Sequence, residues 1–563
     1  MKTLSLIITI IALAISANSA TASREKILIS KSDGPIFLPS SAKSVQNGTD
    51  DGTIICWITG KNNGTLYAQK INLLNSVLWE YNGAVLDSNL GEGFSENSDY
   101  PLIFSDKEGG AVIIYRKKFS NAEDIFLQKI NSDGFSAHAP VCLSSGYSGY
   151  SFSPTAAMTP FNDIIITWEN FEGGDFDIYA QKVDRYGNKV WNHGKEVVVC
   201  NASGDQRKPT IVCDPGNSCF ITWLDTRENT EHAFDLYANR LSATGRSLGF
   251  GSIGKLIYRK NSGNNTESRK EIFYNHNIIL SDKNTFIVAL ENSDDNLFSS
   301  VIAIRVSSRL DKVWEVNFRS GSRQSNPLIV TDGKGGANIF WNDKTETISE
   351  IFGGGLDRSG THTWGGNHGT IISQDNSMRS YSKILPTEQI QNGVYYENGK
   401  VHLTWVTPQS RSLYFKSIHL TDESKNKIAD TIENGVSEGE YTSVTTQMEN
   451  LIVVYNQSNN LYVLCRKLNN DLQDARHQNI IIDNFPNPFN PSTKITYSIP
   501  SDGFVRLSVF DLTGKLISTP EEGFRTSGNY NVTFDGNNLA TGVYFYRLEM
   551  NGYTVTKKMT LIK

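Results

Sequence analysis

The sequence predicts an all-β protein, and three observations carry the prediction. A strand–turn–strand unit recurs along most of the chain. All nine tryptophans fall into two slots of that unit. Glycine (46 residues) and aromatic residues (10%) are abundant together, the composition of short strands joined by tight turns. At 563 residues the chain exceeds what one core can organise, so two or more domains are expected.

The repeat is plainest in three copies. Ile164-Ile165-Ile166-Thr167-Trp168 is followed by Asp177-Ile178-Tyr179-Ala180-Gln181-Lys182-Val183 and then Trp191. Phe220-Ile221-Thr222-Trp223 is followed by Asp235 to Leu241, and Ile54-Ile55-Cys56-Trp57 by Leu66 to Ile71 and Trp79. With the slots defined, the strand-end aromatic is Trp57, Tyr115, Trp168, Trp223, Trp341, Trp405 and Tyr455, and a degenerate copy at Phe286 to Leu290 lacks it. The second-strand slot holds Tyr67, Phe126, Tyr179, Tyr237, Ile302, Phe352, Tyr414 and Leu464. The remaining tryptophans, Trp79, Trp191, Trp314 and Trp364, occupy a third slot.

Copies recur roughly every 50 to 65 residues, room for about four short strands each. A lone four-stranded sheet cannot bury both faces, whereas sheets stacked around an axis can. The expected architecture is therefore a β-propeller over residues 23–482, of about eight blades with seven as the near alternative, the aromatics wedged between blades. Two smaller propellers or a chain of sandwiches are the competing arrangements. Lys26-Ile27-Leu28-Ile29-Ser30 precedes the first full copy and looks like the last strand of one. Placed in the final blade, it would close the ring and remove its exposed edges.

The N-terminus reads as a signal peptide over residues 1–22. Lys2 supplies the positive start, Leu4 to Ile15 is apolar, and Ala20-Thr21-Ala22 offers small residues for cleavage between Ala22 and Ser23. The apolar run is too short to cross a bilayer of ~30 Å, and no later stretch is longer, so no transmembrane helix is expected in the mature chain. Of six cysteines, Cys213 and Cys219 flank the strong turn Asp214-Pro215-Gly216-Asn217-Ser218 and could pair as a disulfide after export. Cys56, Cys142, Cys200 and Cys465 read as buried thiols.

After Asp483 the character changes. Three prolines in ten residues mark a boundary and an extended lead, and short strands separated by glycines follow, the pattern of a small β-sandwich. The stretch from 483 to 563 carries Pro486-Asn487-Pro488-Phe489-Asn490-Pro491-Ser492-Thr493, the turn Val509-Phe510-Asp511-Leu512-Thr513-Gly514-Lys515, the strand Gly542-Val543-Tyr544-Phe545-Tyr546, and a terminal Lys557-Lys558-Met559-Thr560-Leu561-Ile562-Lys563. In that order and place, these motifs resemble the type A sorting domain of the type IX secretion system of Bacteroidetes. The resemblance implies an Ig-like β-sandwich, type IX secretion machinery as partner, and a passenger released or attached at the outer cell surface. An ordinary Ig-like stalk is the alternative.

No catalytic site, cofactor site or metal site is legible. His-Glu-x-x-His, Gly-x-Ser-x-Gly and phosphate-cradling lysine loops are absent. His362 and His368 read as loop histidines, Asp225-Thr226-Arg227 as a local ion pair capping a hairpin, and Asp106 to Gly110 and Asp332 to Gly336 as turns without the alternating oxygens of a calcium loop. A net charge of −6 argues against nucleic acid as a partner. Two functions remain: a non-catalytic binding, adhesion or surface-structural module taking a glycan or protein on its loops, or a secreted hydrolase, glycosidase or peptidase, on the same scaffold.

Overall fold

The computed structural model describes residues 25–467 and 481–563, apart from 33–35, 47–48, 61–63, 74–75, 92–100, 145–149, 229–233, 260–274, 294–298, 320–321, 345–348, 373–393, 398–399, 408–411, 420–429, 435–441, 448–449, 458, 500–502, 513–514, 527 and 551–552. The expected signal segment over residues 1–22, the expected cleavage between Ala22 and Ser23, and Gly514 lie outside the described residues. Two compact units divide the chain between Lys467 and Leu468.

The first unit is a β-propeller. Among the described residues, antiparallel ladders form eight blades, spanning residues 36–87, 102–142, 150–200, 206–258, 276–318, 323–371, 394–434 and 442–467. Blade 4 shows the plan: Gln206–Cys213, Cys219–Asp225, Asp235–Leu241 and Lys255–Tyr258 pair in sequence order from the axis outward. Blade 8 supplies only three strands of its own. Its outer strand is Glu25–Lys31, which pairs antiparallel with Asn460–Lys467. The N-terminal strand thus closes the ring on the last blade.

The core lies between blades, because each sheet is apolar on both faces. Trp57 packs with Ile452, Val454 and Val463 of blade 8, Tyr115 with blade 1, Trp168 with blade 2, Trp223 with blade 3 and Trp341 with blade 5. The strand-end aromatic is thus a wedge against the preceding blade. Blade 5, whose sequence copy looks degenerate, is a complete four-stranded sheet starting at His276. Lys255–Tyr258 belongs to blade 4. Leu290 takes the missing aromatic's position, and Phe286 fills volume lower down by packing on Phe220 at 5.0 Å.

The second unit is a two-sheet sandwich. Ile481–Phe485, Ser492–Ile499 and Gly528–Asp535 form one sheet; Leu516–Arg525, Gly503–Phe510, Gly542–Met550 and Tyr553–Leu561 form the other. Its core includes Phe489, Ile495, Tyr497, Leu507, Tyr546, Met559 and Leu561. The chain pairs regularly right up to the proline lead: Phe485 still faces Lys494 across the ladder. Proline loses its own N–H and fixes its own φ, and it biases the residue before it toward extended backbone, so the strand ending at Phe485 survives.

Candidate functional site

Strand order divides the strand ends between two faces. The ends joining first to second and third to fourth strands lie on one face, here the lower. The ends joining second to third strands, and those that lead from blade to blade, lie on the other, the upper.

The lower face is held by repeated devices. Three residues after the slot held by Tyr67, Phe126, Tyr179, Tyr237 and Ile302, blades 1 to 5 carry Lys70, Lys129, Lys182, Arg240 and Arg305. Each reaches an aspartate in or beside its blade's first turn: Asp51 (2.7 Å), Asp106 (3.5 Å), Asp163 (2.8 Å), Asp214 (2.8 Å) and Asp282 (2.6 Å). Lys70 Nζ also donates to the carbonyl of Gly109 in blade 2 at 2.8 Å. The third-slot tryptophans dock forward onto the next blade. Trp79, Trp191 and Trp314 donate Nε1–H to Ser132 (3.1 Å), Ala243 (2.9 Å) and Arg358 (3.1 Å), each in a turn of the following blade. His138 stands in this slot in blade 2, with Nε2 3.1 Å from the Tyr186 carbonyl. Trp364 instead donates within its own blade, to Asn338. The acidic turns are as the sequence implies: Asp332 Oδ1 accepts the Lys334 and Gly336 amides, and Asp106 Oδ1 those of Glu108 and Gly110.

The upper face differs. The first strands of blades 3, 4 and 6 bulge near their upper ends, where Ser153 (φ 47°), Lys208 (φ 53°) and Asn326 (φ 52°) each precede a proline. A left-handed non-glycine costs of order 1–3 kcal/mol and persists only where neighbours fix it. For Lys208 and Asn326 the neighbours are carboxylates of the preceding blade. Glu169, fully buried, accepts the Lys208 amide at 2.6 Å and Arg207 Nε at 2.6 Å. Glu291 accepts the Asn326 amide at 3.3 Å. Lys208 Nζ donates to Asn275, which donates in turn to Asn326, so blades 4, 5 and 6 are tied around the mouth. Sequence reasoning missed these residues. The available signal was the X-Pro step at one fixed distance ahead of Tyr115, Trp168, Trp223 and Trp341.

Outside this ring of ties, blades 2 to 4 present an aromatic–arginine strip. The Arg207 guanidinium lies 3.7 Å from the Phe176 ring centroid. Phe176 packs against Phe171 (4.9 Å) and Phe152 (5.9 Å), and Phe152 stacks with Tyr150 (6.1 Å). Arg116 covers the other side of Phe152 at 5.1 Å and is paired with Glu123. Phe152, Phe171, Phe176 and Arg207 are half-buried, and Tyr150 is 37% exposed. Phe171 and Phe176 face each other across a hairpin whose tip, Gly173-Gly174, has open space around both glycines. This is a surface on which a flat ring can stack beside a guanidinium donor.

Other candidates resolve into structure. Arg227 pairs with Asp225 through Nε (2.9 Å) and Nη2 (2.5 Å), and Trp223 Nε1 donates to the same carboxylate, so this is a hairpin cap. His362 packs edge-on against Phe318, and His368 contacts the Arg319 carbonyl. An upper-face crevice lined by Leu224, Leu236, Tyr258, Leu290 and Glu291 encloses about 10 Å³, space for a single water. Among the described residues, no group of three or more His, Cys, Asp or Glu is placed to hold a metal. Cys213 and Cys219 are free thiols directly opposite one another.

In the C-terminal unit the lead and the terminal strand meet. Asn487 accepts the Thr560 amide at 2.9 Å and donates to the Lys558 carbonyl at 3.2 Å. Phe489 is buried and bridges Leu561 in parallel, and Gly536 donates to Pro491. Tyr544 is buried with its hydroxyl donating to Ala540 (2.8 Å). Pro486, Pro488, Asn490, Lys557 and Lys558 are exposed, and Gly542 starts the strand paired with the last.

Residues 483–563 match the family described as the secretion system C-terminal sorting domain. The protein is therefore secreted or held at the cell surface, and its tail engages the secretion machinery. No curated protein matches the chain. Among solved structures, it is similar to a PL25 ulvan lyase bound to -[GlcA(1-4)Rha3S]- (10% identity, 79% of this chain and 96% of that one, TM-score 0.42). It is also similar to the β-propeller domain of the trilobed protease from Pyrococcus furiosus (9%, 66% and 96%, 0.37) and to the α-L-arabinofuranosidase Arb93A from Fusarium graminearum (10%, 68% and 96%, 0.32). Likeness at this level is silent on chemistry.

Proposed function

We propose that the propeller is a non-catalytic binding module, exported by its Ig-like sorting tail after cleavage at Ala22–Ser23, that takes a glycan on the upper face of blades 2 to 4. One observation carries the reading. The strip of Tyr150, Phe152, Phe176 and Arg207 stays half-exposed, while the nearby carboxylates Glu169 and Asp225 are buried and committed to Lys208, Arg207, Trp223 and Arg227. Aromatic faces take the apolar face of a sugar, and a guanidinium donates to its oxygens. A spent carboxylate serves neither as acid nor as base.

A hydrolase is the second reading, favoured by a different pair. Asp343 and Glu350 lie opposite each other across the second hairpin of blade 6, and burial, then the Asp343 charge, raises Glu350 from its ordinary value. A glycan array and a hydrolase panel on the exported protein separate the two. Tyr150→Ala with Arg207→Gln is expected to cut glycan binding at least about tenfold, the loss of some 1.4 kcal/mol, with no turnover by the native chain. Turnover abolished by Glu350→Gln would establish the hydrolase instead. Binding to protein probes alone would overturn the glycan assignment.

A further inference from the structure

We propose that Cys213 and Cys219 are joined as a disulfide across the first hairpin of blade 4 in the exported protein, a cross-link independent of whatever the upper face binds.

The geometry comes from the hairpin. Asp214 N–H donates to the Ser218 carbonyl at 2.8 Å, and Asp214 Oδ1 accepts the Gly216 (2.8 Å) and Ser218 (3.0 Å) amides. Arg240 holds the other oxygen of Asp214 at 2.8 Å. Because residues 214 and 218 carry the bond that closes the hairpin, the next pair outward, Cys213 and Cys219, is a non-hydrogen-bonded pair. Such pairs approach most closely, at about 4.5 Å between Cα atoms, with both side chains on one face of the sheet. That separation is inside the disulfide window, which opens at about 4.4 Å.

The repeat supplies its own control. Blades 2, 3 and 6 close the same turn with the same backbone bond, Asp106 to Gly110, Thr159 to Asp163 and Asp332 to Gly336. Their flanking pairs are Ser105 with Ala111, Met158 with Ile164, and Thr331 with Ala337. Blade 4 departs from these copies by placing cysteine at both members of the slot.

The reaction needs a two-electron acceptor, a protein disulfide of an oxidising compartment. Cys213, the partly accessible thiol, loses its proton and attacks the acceptor, displacing one acceptor thiolate and forming a mixed disulfide. Cys219 then loses its proton and attacks the Cys213 sulfur. The Cys213–Cys219 bond forms, the second acceptor thiolate leaves, and the acceptor departs as a dithiol. Burial pushes the Cys213 thiol up to about 12 and raises Cys219 well above its ordinary value, so thiolate is scarce once blade 4 is sealed. Closure belongs to the exported chain before its blades have packed.

Trypsin cuts after Arg207 and Arg227 but not between Lys208 and Pro209, so both cysteines fall in the single peptide 208–227. The exported full-length protein is denatured, alkylated with N-ethylmaleimide with or without prior reduction, and mapped by mass. Without reductant the peptide should carry no adduct and weigh two hydrogens less than the dithiol; with reductant it should carry two adducts. Cys56, Cys142, Cys200 and Cys465 should be alkylated either way. Two adducts on 208–227 without reductant, or a link from either cysteine to Cys200, would overturn the proposal. As a second readout, reductant should lower the melting midpoint of the native chain and leave that of the Cys213→Ser/Cys219→Ser variant unmoved. An equal effect on both would also overturn it.

Discussion

At the scale of single residues, the lower-face turns place a glycine under an indole. Gly245 (φ +82°) lies against Trp191, and a Cβ added there would come within 2.8 Å of the ring. Gly194 has the same backbone sense (φ +85°) and nothing within 4 Å. Gly194→Ala should therefore cost only the left-handed penalty, about 1 kcal/mol. Gly245→Ala should add overpacking of roughly 1–3 kcal/mol. Thermal melts of the two variants compare them directly; equal losses would mean that the indole does not rest on that turn. His276 offers a pH test. Burial first, then the charge of Lys208, depresses it from its ordinary value to about 3, despite its bond to Thr222 Oγ1 at 3.0 Å. Below pH ~6.5 the unfolded chain takes up a proton that the folded one refuses. Stability present at neutral pH is thus lost as pH falls, by at most ~1.4 kcal/mol per pH unit, until about pH 3. Melting temperatures of native and His276→Gln protein should diverge between pH 7 and 4, the native chain falling faster; parallel curves would exclude the effect.

At the scale of elements, the sequence was legible where side-chain volume repeats and opaque where polar groups act across blades. Trp57, Trp168, Trp223 and Trp341 announce themselves because only a large ring fills the wedge. The slot lacking an aromatic, at Leu290, misleads because Phe286 restores volume from the same strand but a different position, which no fixed spacing reveals. The basic residues Lys70, Lys129, Lys182, Arg240 and Arg305 are equally periodic, yet a Lys on an amphipathic strand also suits the solvent face, and only their Asp partners distinguish the cases. Glu169 and Glu291 carry no signal of their own in the sequence; their partners are the amides of Lys208 and Asn326 in the next blade, a relation set by the bulge and not by local pattern. The aromatic–arginine strip was illegible for the same reason, since Arg116, Phe152, Phe176 and Arg207 come from three blades.

At the scale of the whole molecule, two units carry separable tasks. The sandwich's lead and last strand are bound to each other through Asn487, Phe489 and Thr560, so the exposed Lys557 and Lys558 and the exposed prolines are presented together. Deleting 484–563 should leave a propeller that still melts cooperatively and accumulates in the cell envelope. Its normal appearance in the medium would show that export does not need the tail. The ring depends on chain ends far apart in sequence: Glu25–Lys31 and Asn460–Lys467 form one ladder, and Asn456 donates to the Ile36 carbonyl across the junction of blades 8 and 1. Closure covers the edge of Asn460–Lys467 that blade 8's own three strands would leave open.

Hydrogen exchange on the exported protein tests that closure most directly. The account predicts that the amides of 25–31 that donate to 460–467 are protected from exchange, and that they and the amides of 460–467 accelerate together when Ile27→Pro is introduced, since proline disrupts the shared ladder. Fast exchange at every amide of 25–31 in the native chain, beside slow exchange at 460–467, would contradict the closed ring.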